Sequence, residues 1–352
     1  MSSSFASPPT PIPNPRAHTP RPARLVRTLS EAGGISARAL MGSNLIADAM
    51  SLRPLAPTAA NALGRALMGA VLIAVTPGGE SDHGNSAEEG GRESVGEGVG
   101  EGVGVGEGVG EGGGEARAQD EGESVQLQLR GDGPMGSVLA ISDARGRVRG
   151  TVAQPATDLS LADGSPDVAR AIGLGTLTVV RHRPGWREPY TGIVPLTSGE
   201  IAQDITLYLS ESEQTPSAMG LGVAMANDET AVVAAGFLLQ RLPGASEAEI
   251  AQAETNVRNM PSLSDLALSG TDSDEILDLL LAGLGSRART RSEPIFYCPC
   301  TRARALATLQ MLEPAELEEL VNARQSQEVC CHFCAQAYTL SPDEIASLLK
   351  RH

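Results

Sequence analysis

All five cysteines of this 352-residue chain lie within its last 55 positions, and the first 297 residues contain none. Two stand one residue apart in "EPIFYCPCTRARA", as Cys298-Pro-Cys300, and three stand in "EVCCHFCAQAY", as Cys330, Cys331 and Cys334. An odd number of thiols in one terminal cluster does not resemble the distributed bridges of a small secreted domain. It fits a metal site. Zinc takes four Cys or His ligands in a tetrahedron with Zn–S near ~2.3 Å, and a short Cys pair chelates from one tight turn. Cys298 and Cys300 form one such pair, and Cys331-His-Phe-Cys334 the other. His332 is a competing ligand, but its place inside the second pair reads as a surface position. Cys330 is ambiguous; the C-x-x-C turn favours Cys331 with Cys334 and leaves Cys330 spare.

This requirement constrains the fold, because the spacer must bring the two pairs together. Residues 302–312 carry Leu306, Leu309 and Met311 at helical spacing, and Pro314 suits the first position of a second helix through "AELEELV". "AYTL" then reads as a short strand. "SPDE" is a capping box with Pro at its first helical position, which predicts a helix over 343–350. C-x-C is a less usual chelate than C-x-x-C, and its oxidation closes a small, strained ring. A purely structural site has little need of it, so the pair hints at a metal that is meant to leave.

Length allows two domains, and 41% apolar residues allow a sizeable core, built from Leu, Val, Ile and Ala because aromatics are only 3%. The net charge of −16 is unevenly spread. Residues 77–124 hold 13 Asp and Glu against 2 Arg, a net of −11, which leaves −5 for everything else. Such a balance argues against non-specific nucleic-acid binding, which places Lys and Arg opposite phosphates. "RARTR" and "TRARA" offer small basic faces without interleaved aromatics. The best apolar run, 66–75, is shorter than the ~18–20 residues of a membrane span. No triad or acid pair suggests an enzyme, and the C-x-x-C is far from any βαβ unit of a dithiol oxidoreductase.

Residues 1–22 are rich in Pro and Ser and hold no acid; the first, Glu31, follows Arg16, Arg21, Arg24 and Arg27. A disordered tail and an organellar transit peptide both fit, giving cytoplasm or, alternatively, plastid stroma as the compartment, thiol-reducing in either case. Residues 55–75 predict a buried helix. Residues 77–121, with "VGEGVGEGVGVGEGVGEGGGE", predict a solvated, disordered loop, because Gly is costly to order and like-charged Glu repel. Strand, turn and strand follow through Val125, Leu127, Leu129, Val138 and Ile141, with another turn at 144–146. "GDGPMG" matches G-x-G-x-x-G in form, but the strand-like "SVLAIS" stands where a dinucleotide site needs a helix. "LGTLTVVRH" and "YTGIVPL" predict strands and 200–211 a helix. Two small-residue strands follow at 217–226 and 231–242, around a turn at 227–229. Residues 246–260 and 273–284 predict helices, and 285–292 a polar linker.

Taken together, C-x-C, a thirty-residue helical spacer and C-x-x-C near the C-terminus resemble the thirty-three-kilodalton chaperonin family, the redox-regulated heat-shock holdase. "ALGRALMGAVL", "LQLRGDGPMGSV", "GRVRGTV", "YTGIVPLTSGEIAQDITLYLSESEQTPSAMGLGV" and "AAGFLLQRLPGA" look like family segments, and the resemblance runs over about 24–350. The Gly/Glu insertion and Cys330 depart from the pattern without removing a ligand position. The resemblance implies an α/β (α+β) N-terminal core over 23–244, a metastable helical linker over 245–292 and a zinc module over 293–352. It implies one Zn(2+) held by Cys298, Cys300, Cys331 and Cys334, and inactivity while reduced. It implies that peroxide or hypochlorite forms two disulfides, Cys298 with Cys300 and Cys331 with Cys334, in agreement with easy loop closure inside each pair. Zinc then leaves, module and linker unfold, and an oxidised homodimer holds unfolding clients without ATP and passes them to the seventy-kilodalton chaperone system. Cys330 would be a minor competitor for either partner.

The insertion's composition cannot build a core, so deleting 78–121 should leave metal content and oxidation response unchanged, measured as metal per chain and suppression of client aggregation. Loss of the response with the fold intact would make the segment functional.

Overall fold

A computed structural model describes residues 22–74, 123–225 and 232–349. The expectations for the leader 1–22 (apart from Pro22), the insertion 77–121 and the turn at 227–229 lie outside the described residues.

The order of elements begins with β1 (Arg24–Leu29), β2 (Ile35–Met41), α1 (Ser43–Leu52) and α2 (Pro57–Ala74). There follow β3 (Ser124–Gly131), β4 (Ser137–Asp143), β5 (Arg147–Val152), α3 (Val168–Ile172), β6 (Gly175–His182), β7 (Tyr190–Leu196) and α4 (Ala202–Glu211). Next come β8 (Ser217–Met225), β9 (Val232–Arg241), α5 (Glu247–Arg258), α6 (Leu263–Leu268), α7 (Ser273–Leu280), β10 (Thr290–Ser292) and β11 (Ile295–Phe296). The C-terminal module holds α8 (Arg302–Leu309), α9 (Pro314–Asn322), β12 (Gln327–Cys330), β13 (Ala337–Leu340) and α10 (Pro342–Leu349).

Two sheets, ordered β10-β1-β2-β9-β8 and β11-β5-β4-β3-β6-β7, enclose α2. All pairings are antiparallel except β11 with β5, so the second sheet is mixed. Helix α2 is apolar on nearly all sides, with Thr58, Asn61 and Arg65 as its polar residues, and a helix of that kind is stable only when covered all round. Its length and hydropathy would just span a membrane, yet 89% of it is buried, as in a core helix. Strand β3 alternates, with Val125, Leu127 and Leu129 inward and Gln126 and Gln128 half-buried on the other face. Six of the seven residues of β2 are buried, as expected for a strand covered on both faces. One face of its sheet joins the core around α2, and the other packs under α5, α6 and α7.

Buried Arg38 is explained by the end of α2. Its Nη1 donates to the Leu72 carbonyl at 2.7 Å, while Arg181 Nη1 donates to Ile73 O at 3.2 Å, so two cations face the negative end of the helix dipole. Burial pushes the Arg38 pKa down to about 10. "GDGPMG" is a turn leading into β4. Its glycines admit the last carbonyls of α3, since a Cβ on Gly131 would lie 2.0 Å from Ile172 O.

The helical layer over β1, β2 and β9 is well capped. Ser246 with Glu249 and Asp272 with Glu275 form capping boxes for α5 and α7. Asn256 donates from α5 to the carbonyls of Leu280 and Ala282, both at 2.9 Å. The segment 285–292, expected to be a linker throughout, contains a strand. β10 pairs with β1, and Arg289 and Arg291 lie 3.0 and 2.7 Å from Asp274 of α7. Its polar side chains are all exposed, so only its backbone pairing marks it as a strand. Two residues on, β11 pairs with β5 of the other sheet. The chain therefore ties both sheets together just before the first cysteine pair.

Asn256→Ala removes one partner of two hydrogen bonds, one buried and one part-buried, at a cost of about 1–3 kcal/mol each. Hydrogen exchange should quicken across α5–α7 and stay slow in β3 and β4; uniform protection in the variant would show that these bonds do not hold the layer.

Candidate metal centre

Each cysteine pair is placed by its local structure. Cys298 and Cys300 follow β11 directly, and Thr301 then caps α8, its hydroxyl accepting from the Arg304 N–H. Cys331 and Cys334 occupy the turn between β12 and β13. Cys331 N donates to Gln336 O and Ala335 N to Cys331 O, both at 2.9 Å, closing a knuckle. Helices α8 and α9 fold back between the pairs, and Leu317, Leu340, Ile345 and Leu348 form the buried centre of the module. Arg302 ties α8 to α10 through a two-pronged pair with Glu344 at 2.8 and 2.7 Å, and this hydrogen bonding holds the Glu344 carboxyl down at about 2.

The structure brings Cys298, Cys300, Cys331 and Cys334 together, their sulfurs all within 4.8 Å of one another. Cys298 Sγ lies 3.6 Å from Cys331 Sγ, and Cys300 Sγ 3.3 Å from Cys334 Sγ. A tetrahedral site with Zn–S near ~2.3 Å has edges near ~3.8 Å, so the set could hold one metal ion. Among the described residues it is the cluster that suits a metal. Cys330 is left out, and the strand period explains why. In β12, Val329 is partly buried, whereas Glu328 and Cys330 are on the exposed face, where Cys330 Sγ lies 3.6 Å from Glu328 Oε1. His332 is exposed as well.

Burial pushes the Cys298 and Cys334 thiols up in the absence of a metal. Burial raises the Cys331 thiol, but the backbone of Cys334 and Phe333 together with the Cys298 and Cys334 side chains brings it down to about 7. Tyr338, opposite Val329 in the hairpin, donates its hydroxyl to Cys300 Sγ at 3.2 Å. That hydrogen bond raises the phenol to about 12, which keeps it a donor at neutral pH.

The knuckle is docked on the N-terminal core. Phe333 lines a small recess together with Leu55, Leu63, Val152 and Pro155 of the core. The Arg149 guanidinium of β5 lies 5.0 Å from its ring, and Arg53 Nη1 donates to the His332 carbonyl at 2.7 Å. Arg147 stacks over Tyr297 at 5.3 Å in the same region. An open cleft of about 260 Å³ reaches the sulfurs between Arg149, Arg304, Val329 and Tyr338. Sequence reasoning found the cysteines but missed Arg53, Arg149 and Tyr338. The hairpin register was the one signal for Tyr338; no local pattern marks the two arginines.

Comparison with known proteins accounts for this arrangement. Residues 115–341 match the family model described as Hsp33 protein. The "33 kDa chaperonin" of Symbiobacterium thermophilum is 34% identical over 91% of this chain and 95% of its own length. That of Limosilactobacillus fermentum is 33% identical over 92% and 98%. The crystal structure of the 33 kDa chaperonin (heat shock protein 33 homolog) from Thermotoga maritima superposes with a TM-score of 0.73. It is 28% identical and covers 93% of this chain and 98% of that one. With the fold, the thiol cluster and these likenesses in agreement, the chain belongs to the Hsp33 family of chaperones.

Proposed function

We propose that this protein is a redox-regulated, ATP-independent holdase whose reduced form is silent and holds one zinc ion on Cys298, Cys300, Cys331 and Cys334. The observation that carries this reading is the gathering of four sulfurs, in a chaperone-family chain, beside a module centred on only four fully packed apolar side chains. An all-sulfur tetrahedral donor set suits zinc. Bound there, zinc supplies folding energy of ~10–16 kcal/mol and keeps the ligands as thiolates. So small a core is marginal alone. Losing the metal therefore melts the module, and the thiolates are also what an oxidant attacks.

Peroxide or hypochlorite would join Cys298 to Cys300 and Cys331 to Cys334, with neighbours in sequence closing the rings. The melted module withdraws Phe333 from its recess and leaves β10 and β11 as short, exposed strands. The layer of α5–α7 is then anchored only by its own packing. Its departure would bare Val26, Ile35, Ala37, Ala39, Phe237 and Leu239, an apolar sheet face suited to unfolding chains. Residues 245–292 would thus act as the releasable linker and 293–352 as the switch. The exposed face also suits homodimer formation in the oxidised state, with clients passing on to the seventy-kilodalton chaperone system. A thiol-reducing cytoplasm is the compartment that keeps such a switch loaded.

The reduced protein should contain about one zinc per chain, held by four thiolates. Peroxide should release it and start suppression of aggregation of a thermally unfolding client. Cys331→Ser should lose high-affinity zinc, while Cys330→Ser should keep it; the reverse order would move the ligand to Cys330. Phe333→Ala gives up the apolar recess and a cation–π contact worth ~0.5–2 kcal/mol, and should lower the peroxide concentration needed for activation. An unchanged threshold would separate the docking from the switch.

A further inference from the structure

Within the cluster, Cys298 Sγ lies 3.6 Å from Cys331 Sγ and Cys300 Sγ lies 3.3 Å from Cys334 Sγ. Cys300 accepts from a side chain, the Tyr338 hydroxyl at 3.2 Å. The register of the hairpin fixes that phenol, because Tyr338 is paired with Val329 and its ring packs against the small core of the module. Tyr338 and Cys300 also line the same open cleft, so a small oxidant that enters it reaches Cys300 beside the hydroxyl.

We propose that Tyr338 is a positioning residue that sets the oxidation threshold of the centre: its hydroxyl draws electron density from the Cys300 sulfur and slows attack on peroxide. The inference rests on the redox reading above. In the step concerned, the Cys300 thiolate attacks one oxygen of hydrogen peroxide. The O–O bond breaks, an S–O bond forms, and hydroxide leaves, giving the sulfenic acid. The Cys298 thiolate then attacks that sulfur, the S–S bond forms, the S–O bond breaks, and a second hydroxide leaves. Two thiolates have lost two electrons, and one peroxide has become two hydroxides. A hydrogen bond to the attacking sulfur is partly given up as its charge moves into the new S–O bond, so the first step is slowed. A ligand held in place by its outer hydrogen-bond partner also binds its metal more firmly. The phenol hydroxyl can be removed by substitution while the ring is kept. Position 338 is therefore where a single side chain adjusts the sensor.

The test uses full-length, reduced Tyr338→Phe, which keeps the ring and loses only the hydroxyl, with Tyr338→Leu as a second chain lacking the donor. In the cobalt-substituted protein the sulfur-to-cobalt charge-transfer band should move to lower energy in both variants, because an unbonded thiolate lone pair lies higher. Peroxide-driven zinc release, followed with a chromogenic chelator, should be faster on the order of tenfold, the size expected for losing one hydrogen bond to a charged sulfur. Zinc affinity by chelator competition should fall about tenfold. If the wild-type protein keeps its zinc in peroxide, the redox reading falls and this inference with it. If the wild type releases zinc and both variants show its band and its rate, only the role of Tyr338 falls.

Discussion

Everything in the C-terminal module turns on holding four sulfurs within 4.8 Å of one another when the pairs are 33 positions apart in the chain. Four uncharged thiols gain little from such crowding, and four thiolates repel. A divalent ion reverses the sign by offering each sulfur a bond that the unfolded chain lacks. The helices between the pairs carry a small core, four buried side chains with partly buried neighbours, so a bound metal would add to the energy that folds them back. In the proposed zinc-bound state the metal site would thus be the condition of the module's fold rather than an ornament on it. One site of this kind can report oxidation, because the groups that hold the module are the groups that oxidants consume.

The consequence reaches the N-terminal core through a short length of chain. Between α7 and Cys298, β10 adds to one sheet and β11 to the other. Asp274 gathers Arg289 and Arg291 at the first of these joints, and their hydrogen bonds hold its carboxyl below the usual range against the effect of burial. Phe333 and Arg53 hold the knuckle to the core near the second. In the proposed switch, both joints would loosen when the module unfolds. The sheet face under α5–α7 is the reverse case: it is apolar, broad, and stable only while covered.

What the sequence made legible follows from how local each signal is. The buried helix, the strands at 190–196, 217–225 and 232–241 and the helices α9 and α10 lie within one to two residues of their expected ends, since period and caps are local properties, whereas α8 ends three residues and α7 four residues before the expected 312 and 284. The four sulfurs were legible because chelating pairs are short motifs. Strands β1 and β2 went unread. The covered strand β2 has no alternation to show, and Arg38 within it looks like a surface residue until the end of α2 supplies its partner. Strands β10 and β11 are three and two residues long and exist only because an edge is there to receive them. Arg53, Arg149 and Tyr338 act across long separations in the chain or across a hairpin, where spacing carries no message.

Arg181 shows how the core accommodates a long, acidic segment between α2 and β3. Its Nη1 donates to Ile73 O at 3.2 Å on the entering side and lies 3.4 Å from Glu123 Oε1 on the leaving side. Glu213 completes the network by pairing with the same guanidinium, and Arg183 reaches Glu123 at 3.0 Å. One buried cation therefore fixes both ends of the excursion, independently of what lies between them. Closing a flexible loop costs only about 0.6 kcal/mol for each doubling of its length. Ends pinned in this way keep the entropic cost of lengthening the segment between them small.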